Sequence, residues 1–435
     1  MKNDIIQYLR NKSILILGYG REGQSALKFI QENLPDNAVA VADIKPLEID
    51  GVLTFSGADY LRHCHDFDVI IKSPGVVIKD SVSSEDKEKI TSLSDLFLCF
   101  CQNPIIGITG TNGKTTTKEL LATVLSTKYN LHYTQGNLNN QIGVPLTLLQ
   151  ITRAHELAIV EMGASHPGDI KELVDIAEPN YGLITNVGRA HLEGFGSFEG
   201  VQNTKRELYD YLVAHQGTIF RNADNPYLAS MHDSALSSLP ISNSPQSGRP
   251  IAADAASNSR LVAYATGTMP SGTHLVGEYN AENVSAAICV GEYFGVSREQ
   301  ALETIRQYVP TNNRSQSMQT ANNQLIVDAY NANPTSMQAA INAFKGDTYI
   351  LGAMRELGEY SHLEHQNIVN MLAERKADTV FLVGEEYLQT TSPYPVFENV
   401  ELLHKHFEEQ PPLKGKNILL KGSRSTQMEK LLDVL

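Results

Sequence analysis

Residues 109–117 read TGTNGKTTT and follow directly on the apolar run Ile105, Ile106, Gly107, Ile108. A strand that runs into glycines, a lysine and hydroxyls is the pattern of a phosphate loop. The backbone N–H groups around Gly110, Thr111, Asn112 and Gly113 are placed to cradle phosphate oxygens, Lys114 to reach the β/γ-phosphates, and Thr115, followed by Thr116, to offer a hydroxyl to Mg²⁺. The general spacing puts a glycine where this chain has Ile108, so the match is to a variant, TGxxGKT. ATP is the fuel that this loop implies.

Four further patterns in the same stretch could share that chemistry. Glu161 ends the strand-like run Leu157–Val160 and opens EMGASHPG; a carboxylate at a strand end beside a phosphate loop can hold Mg²⁺ directly or through water. The strand-like run Gly182–Thr185 leads into Asn186-Val-Gly-Arg-Ala-His191. Lys205 follows in NTKREL, at the start of an expected helix, where an ordinary surface lysine is the simpler reading. Gly136-Asn-Leu-Asn-Asn140 reads either as an Asn/Gly turn or as a loop that closes over phosphates.

These residues need a scaffold of strands and helices. Strands alternate with helical stretches from about residue 103 onward, which implies α/β architecture with a mostly parallel sheet. The first hundred residues carry a second, different loop. Ser13–Leu17 is a short buried strand that runs into Gly18-Tyr-Gly20-Arg-Glu-Gly23 and then a helical segment near Gln24–Glu32. The next strand, Ala38–Ala42, ends at Asp43, and Val69–Ile71 ends in Lys72-Ser73-Pro74-Gly75. Those are the parts of a Rossmann βαβ unit, in which glycines allow close approach to a diphosphate and an acid serves ribose or base. NAD would use the same fingerprint. Residues 234–260, rich in Ser, Ala and Pro, read as a surface excursion, and Tyr308–Asn313 as a linker. Three domains are expected: 1–102 Rossmann-like, 103–309 central with the phosphate loop, and 310–435 a smaller α/β domain, with strands near Leu325–Val327, Thr348–Leu351, Thr379–Val383 and Asn417–Leu420.

The bulk properties narrow the class. A chain of 435 residues with 42% hydrophobic content can build several cores, and a formal charge of −14 argues against a nonspecific grip on nucleic acid. No apolar run approaches a membrane span, and MKNDIIQYLRNK lacks the apolar stretch of a signal peptide. The four cysteines, Cys64, Cys99, Cys101 and Cys289, form no CxxC pair and read as reduced. A cytoplasmic location and a monomer are expected.

Taken in order, TGTNGKTTT, EMGASHPG, TNVGRAHLEGFGS, GEYNAENVSAA, NNRSQ, VDAYNANPTSM and LLKGSRS resemble the Mur ligases, ATP-dependent amide-forming enzymes of bacterial peptidoglycan synthesis. From about residue 103 the wording looks like the type that adds D-alanyl-D-alanine to UDP-MurNAc-tripeptide (MurF). The first hundred residues, through GYGREGQSA and KSPGV, look instead like the type that adds D-glutamate (MurD).

The resemblance implies roles residue by residue. Lys114 and Thr115 would hold ATP phosphates and Mg²⁺, with Glu161 at the first ion. His191 and a carbamylated Lys205 would sit at a second. Asn280 and Asn283 resemble adenine-side asparagines, Arg314 the arginine that comes over the phosphates, and Asp328 the acid near the ATP ribose. Asn331, Asn333, Ser336, Lys421 and Ser423 would line the incoming amine. Gly18, Gly20, Gly23, Asp43, Ser73, Pro74 and Gly75 would bind the UDP-linked substrate. Where the family reads LGDM, this chain has Leu351-Gly-Ala353-Met354, without the carboxylate. The implied activity is ligation of D-alanyl-D-alanine to UDP-MurNAc-tripeptide through an acyl phosphate. D-Glutamate addition, or a hybrid with impaired catalysis, whether natural or engineered, is the alternative.

Overall fold

Ile14–Leu17 (β1) is a run of four apolar residues buried on both faces, as the centre of a parallel sheet requires. Around it lie Val39–Asp43 (β2), Leu53–Ser56 (β3), Val69–Lys72 (β4) and Ile90–Thr91 (β5), in the order β3-β2-β1-β4-β5 with every pairing parallel. The helix Arg21–Asn33 buries Gly23, Ala26, Leu27 and Ile30, the one-sided spacing of an amphipathic helix. It begins three residues earlier than Gln24, because Gly20 serves as its N-cap.

The computed structural model describes residues 2–73, 75–78, 82–93, 95–96, 103–237, 260–310 and 314–435. Pro74, Cys99 and Cys101, most of the Ser/Ala/Pro-rich stretch 234–260 and the end of the 308–313 linker lie outside the described residues. Two compact units are separated: Met1–Asn103 with Leu148–Ala154, and Pro104–Thr147 with His155–Leu435.

The second unit contains two sheets. The first consists of Ile105–Thr109 (β6), Leu131–Tyr133 (β7), Leu157–Glu161 (β8), Tyr181–Ile184 (β9), Thr218–Asn222 (β10) and Arg260–Tyr264 (β11). Its order is β11-β10-β9-β6-β8-β7, all parallel, with the apolar core of the helix Lys114–Leu125 packed against it. The second sheet is Gln316–Gln319 (β12), Gln324–Asp328 (β13), Thr348–Gly352 (β14), Thr379–Val383 (β15), Val396–Phe397 (β16) and Asn417–Lys421 (β17), in the order β12-β13-β17-β14-β15-β16. Only β12 runs antiparallel to its neighbour among the described strands. The α/β class with mostly parallel sheets is as the alternation of elements implies.

Two local expectations change. Lys205 lies in the middle of the helix Phe198–Ala214, capped by Ser197, and not at a helix start. The first residues of the stretch expected as an excursion from 234 belong to the helix Pro226–Ser237, and its last, Arg260, begins β11.

Candidate active site

β6 stands at the switch point of its sheet: the chain leaves it for β7 and β8 on one side and for β9 on the other. Loops diverge there and open a crevice beyond the strand C-termini. The phosphate loop follows β6, Glu161 ends β8, and the segment carrying Asn186 and His191 follows β9.

The loop is shaped by its glycines. Gly113 has φ +77° and caps the helix Lys114–Leu125 with no side-chain hydrogen bond, so the first helical N–H groups face the cleft without a capping partner. A Cβ on Gly113 would collide with Asn283 Oδ1, which ties the loop to the helix Asn280–Tyr293. Asn283 Oδ1 also accepts from Thr117 Oγ1 at 3.0 Å, and its Nδ2 donates to Asn280 Oδ1 at 2.9 Å. Asn186 fastens the other side: its backbone oxygen accepts from Thr111 N at 2.9 Å and its Oδ1 from Asn112 N at 3.0 Å. Lys114 Nζ folds back onto the carbonyls of Gly110 and Thr111, at 2.7 and 3.1 Å. Desolvation lowers its pKa to about 8, opposed by Glu161 and reinforced by Arg314.

Glu161 is buried. Its Oε1 accepts from Thr115 Oγ1 at 3.1 Å and from Asn139 Nδ2 at 2.8 Å, and its Oε2 has no hydrogen bond. The polar loop 136–140 therefore meets the carboxylate directly. His191 adopts φ +51°, and its Nδ1 pairs with Glu356; burial pushes the imidazole pKa down against the pull of that carboxylate. Lys205 is 2% exposed, with Nζ 5.6 Å from the centre of the Phe195 ring. Burial, with Lys114 adding to it, holds its pKa well below the usual lysine range. The surface-lysine reading fails.

The second sheet of this unit supplies the facing wall. Asp328 ends β13, Lys421 ends β17, and the two are register partners whose Nζ and Oδ2 lie 2.5 Å apart. Two residues expected at different substrates thus form one pair, with Lys421 buried and Asp328 partly so. Lys421 Nζ also donates to Asn331 O at 3.2 Å. Arg314 stacks on Tyr330, 4.0 Å from the ring centre, and Arg424 approaches the same ring at 5.4 Å. Asn333 and Ser336 form a capping box on the helix Pro334–Ala343. Asn333 Nδ2 reaches Asn112 Oδ1 at 2.8 Å, and Thr335 Oγ1 accepts from Arg189 N at 3.0 Å. Ala353 is fully buried after β14, against Gly384, and Ser423 N donates to its carbonyl at 3.3 Å.

A cleft of about 710 Å³ results. Thr111, Asn112, Gly113, Lys114, Thr115, Thr116, Glu161, His191, Asn280, Asn283, Arg314, Asp328, Asn331, Ser336 and Lys421 all line it. Gly110, Lys205, Asn333 and Ser423 are not in its lining; Lys205, Asn333 and Ser423 are buried. Glu356, Tyr330 and Arg424 line it without having been singled out from the sequence.

In the first unit the glycines divide the work. Gly18, at φ +87°, has no room for a Cβ beside Val76, and Gly23 packs against Gly18 O. Gly20 faces open space at the start of its helix. Asp43 accepts from Tyr19 N at 2.8 Å and Lys45 N at 3.0 Å, so its carboxylate holds the glycine turn in shape. Ser73 Oγ donates to Gly18 O at 3.0 Å, and Gly75 follows in a turn.

Fold and cleft define an α/β protein with a phosphate loop at a sheet switch point. The model of the Mur ligase middle domain matches residues 108–291, and that of the Mur ligase glutamate ligase domain matches residues 313–424. The chain belongs to the Mur ligase family and is a ligase. It is 30% identical over 389 residues, 79% of each chain, to a UDP-N-acetylmuramoyl-tripeptide–D-alanyl-D-alanine ligase from Bacillus subtilis (strain 168). A crystal structure of MurF from Acinetobacter baumannii matches 98% of this chain and 91% of that one, at 25% identity and a TM-score of 0.68. MurF from Thermotoga maritima, solved in complex with ADP, shares the fold at 21% identity and a TM-score of 0.68, over 99% of this chain and 95% of that one. No described helix is long and apolar enough to cross a membrane.

Proposed function

We propose that this chain joins D-alanyl-D-alanine to UDP-MurNAc-tripeptide at the expense of ATP, acting in the cytoplasm as a monomer. One observation carries the reading. The phosphate loop, Glu161 and His191 of one sheet share a cleft with Asn331, Ser336 and Lys421 of the next, in a chain whose curated relatives bear that activity in their names. The domain division 1–102, 103–309 and 310–435 is part of the proposal.

The carboxylate of the tripeptide attacks the γ-phosphorus of ATP, and ADP leaves. The amine then attacks the acyl carbon of the acyl phosphate, and phosphate leaves. Lys114 and the uncapped N–H groups of its helix stabilise charge on the transferring phosphoryl group. Arg314, stacked on Tyr330, approaches the same phosphates. Asn280 and Asn283 border the adenine side. Substrates filling the two-sheet cleft would displace water, which would otherwise hydrolyse the acyl phosphate.

Mg²⁺ fits the donors present: Thr115 and Glu161 offer hard oxygens, and Glu161 Oε2 is a buried acceptor without a hydrogen-bond partner. When bound, the ion neutralises phosphate charge and polarises the phosphoryl group. His191 and Lys205 would serve a second ion. A lysine whose amine is uncharged can add to CO₂, losing a proton and gaining two carboxylate oxygens. That change turns a poor Mg²⁺ partner into a hard one.

The amine preference is tested by product formation with D-alanyl-D-alanine and with D-glutamate, each with its matching UDP-MurNAc-peptide. Product with the dipeptide is expected. Product with D-glutamate alone would overturn this reading and show that the MurD-like wording of the front sets the function.

The first unit is proposed to bind the UDP diphosphate at Gly20 and the start of the helix Arg21–Asn33, with the uracil toward Asp43. Calorimetry should show binding of UDP-MurNAc-peptide and none of NAD. The reverse result would remove the ligase role from this unit.

A further inference from the structure

Lys118 is a fully buried charged side chain against Glu161 that the chemistry above leaves without a task. It lies one helical turn beyond Lys114, so both side chains project from one side of the helix Lys114–Leu125. The side chain is wholly buried. Its Nζ lies 3.6 Å from Glu161 Oε2 and 3.1 Å from Glu119 Oε1, with the Tyr133 ring centre at 5.9 Å. It makes no hydrogen bond of good geometry.

Its position is unexpected for a metal site. Thr115 and Asn139 already hold Glu161 Oε1, so Oε2 is the oxygen left for an ion. The buried ammonium faces that same oxygen. A positive charge there repels a divalent cation, and Glu119, 3.1 Å from the same Nζ, offsets only part of that repulsion because it lies away from Glu161 Oε1 and its partners. The protein also gives the ion little else. Among the described residues no group of three or more His, Cys, Asp or Glu side chains is placed to hold a metal. Further ligands must come from elsewhere, and the uncapped helix start beside Thr115 is where phosphate oxygens would lie.

We propose that Lys118 is a resident counter-cation of Glu161 that makes divalent-metal binding conditional on nucleotide. Before nucleotide binds, the ammonium balances the carboxylate and a divalent ion gains little by entering. Phosphate oxygens supply the extra negative charge and the missing ligands, so the ion enters as the metal–nucleotide complex. The inference rests on reading Glu161 as the metal-site carboxylate.

The test follows Mn²⁺ by the loss of its free-ion electron paramagnetic resonance signal on the full chain, with and without ADP, and subtracts the loss that ADP alone causes in solution. Wild type should bind Mn²⁺ weakly alone and at least roughly tenfold more tightly with ADP, whose phosphates add negative charge and ligands at short range. Lys118→Met should bind Mn²⁺ without ADP at least several-fold more tightly than wild type does without ADP, so that ADP makes a smaller difference to the variant than to wild type. Lys118→Arg keeps the charge and should behave as wild type. Equal Mn²⁺ affinity of wild type with and without ADP would overturn the proposal, and this needs no variant to fold. So would a folded Lys118→Met, verified by circular dichroism, whose Mn²⁺ affinity depends on ADP as much as that of wild type. Glu161→Gln separates the two readings. If it leaves Mn²⁺–ADP binding unchanged, Glu161 is not the metal-site carboxylate and the premise itself fails.

Discussion

Replacing Lys114 with alanine is expected to lower Mg²⁺-ATP-dependent phosphate release by roughly two to three orders of magnitude, the usual effect of removing one preorganised group that stabilises charge in the transition state. Lys114 makes its two hydrogen bonds to carbonyls of its own loop, and alanine is a strong helix former at the start of a helix, so the fold should persist. The lysine has a further signature. Desolvation brings its pKa to about 8. The charged form is the one that attracts phosphate, so in the unliganded protein nucleotide affinity should fall as pH rises through about 8. The Lys114→Ala variant should lack that dependence. Phosphate release across pH, with circular dichroism as the control for folding, measures both effects. Turnover at the wild-type level in the variant would remove the phosphate loop from the mechanism.

The second large effect is expected at Lys205. It is buried, and burial, with Lys114 adding to it, holds the pKa of its amine well below the usual lysine range. An uncharged amine is the species that reacts with CO₂, and the carbamate so formed carries the oxygens that a second metal ion needs. Lys205→Ala should lose at least roughly 10–100-fold in activity, the range for removing groups that support a metal site. Formate or acetate should restore part of it by placing a carboxylate in the space left. The amine gives a direct readout as well: ¹³CO₂ loading should add a carbamate carbon signal to wild type and none to the variant. Full wild-type activity with no such signal would dismiss the carbamate.

Why these residues were readable in the sequence, and others were not, follows from how far their partners lie along the chain. The phosphate loop is local: strand, glycines, lysine and hydroxyls adjoin one another, and the structure places them as their spacing implies. Glu161 and the segment carrying His191 were readable as strand ends, because parallel sheets bring strand C-termini together. Lys205 looked bland because burial is decided by the packing of a whole helix, which a short window around NTKREL does not reveal. Asp328 and Lys421 were assigned to different substrates, yet they face each other across adjacent strands, 93 residues apart in sequence. Nothing local marks such a pair. Glu356 went unnoticed for the same reason, since its partner His191 is 165 residues away. Lys118 carried a local signal, its spacing from Lys114 on one helix, but not the distant Glu161 that gives it meaning.

The front fingerprint shows a different limit. Gly18, Gly20, Gly23 and Asp43 occur at the expected spacing, and the structure builds the expected turn from them. Yet Asp43 binds two backbone N–H groups of its own neighbourhood. A motif can thus be right in form while one of its residues serves the scaffold.

The contact between the phosphate loop and the helix Pro334–Ala343 has a consequence of another kind. Asn333 reaches Asn112 across the two sheets, and Gly188 lies so close under Thr335 that a Cβ there would stand 2.7 Å from the Thr335 hydroxyl. The seam works as a go/no-go gauge. A single added carbon at 188 would force the Thr335 side chain to shift, and with it the hydrogen bond that Thr335 accepts from Arg189 N. The phosphate loop and the second sheet are thus matched by steric fit as well as by hydrogen bonds, with room at position 188 for less than one methyl group.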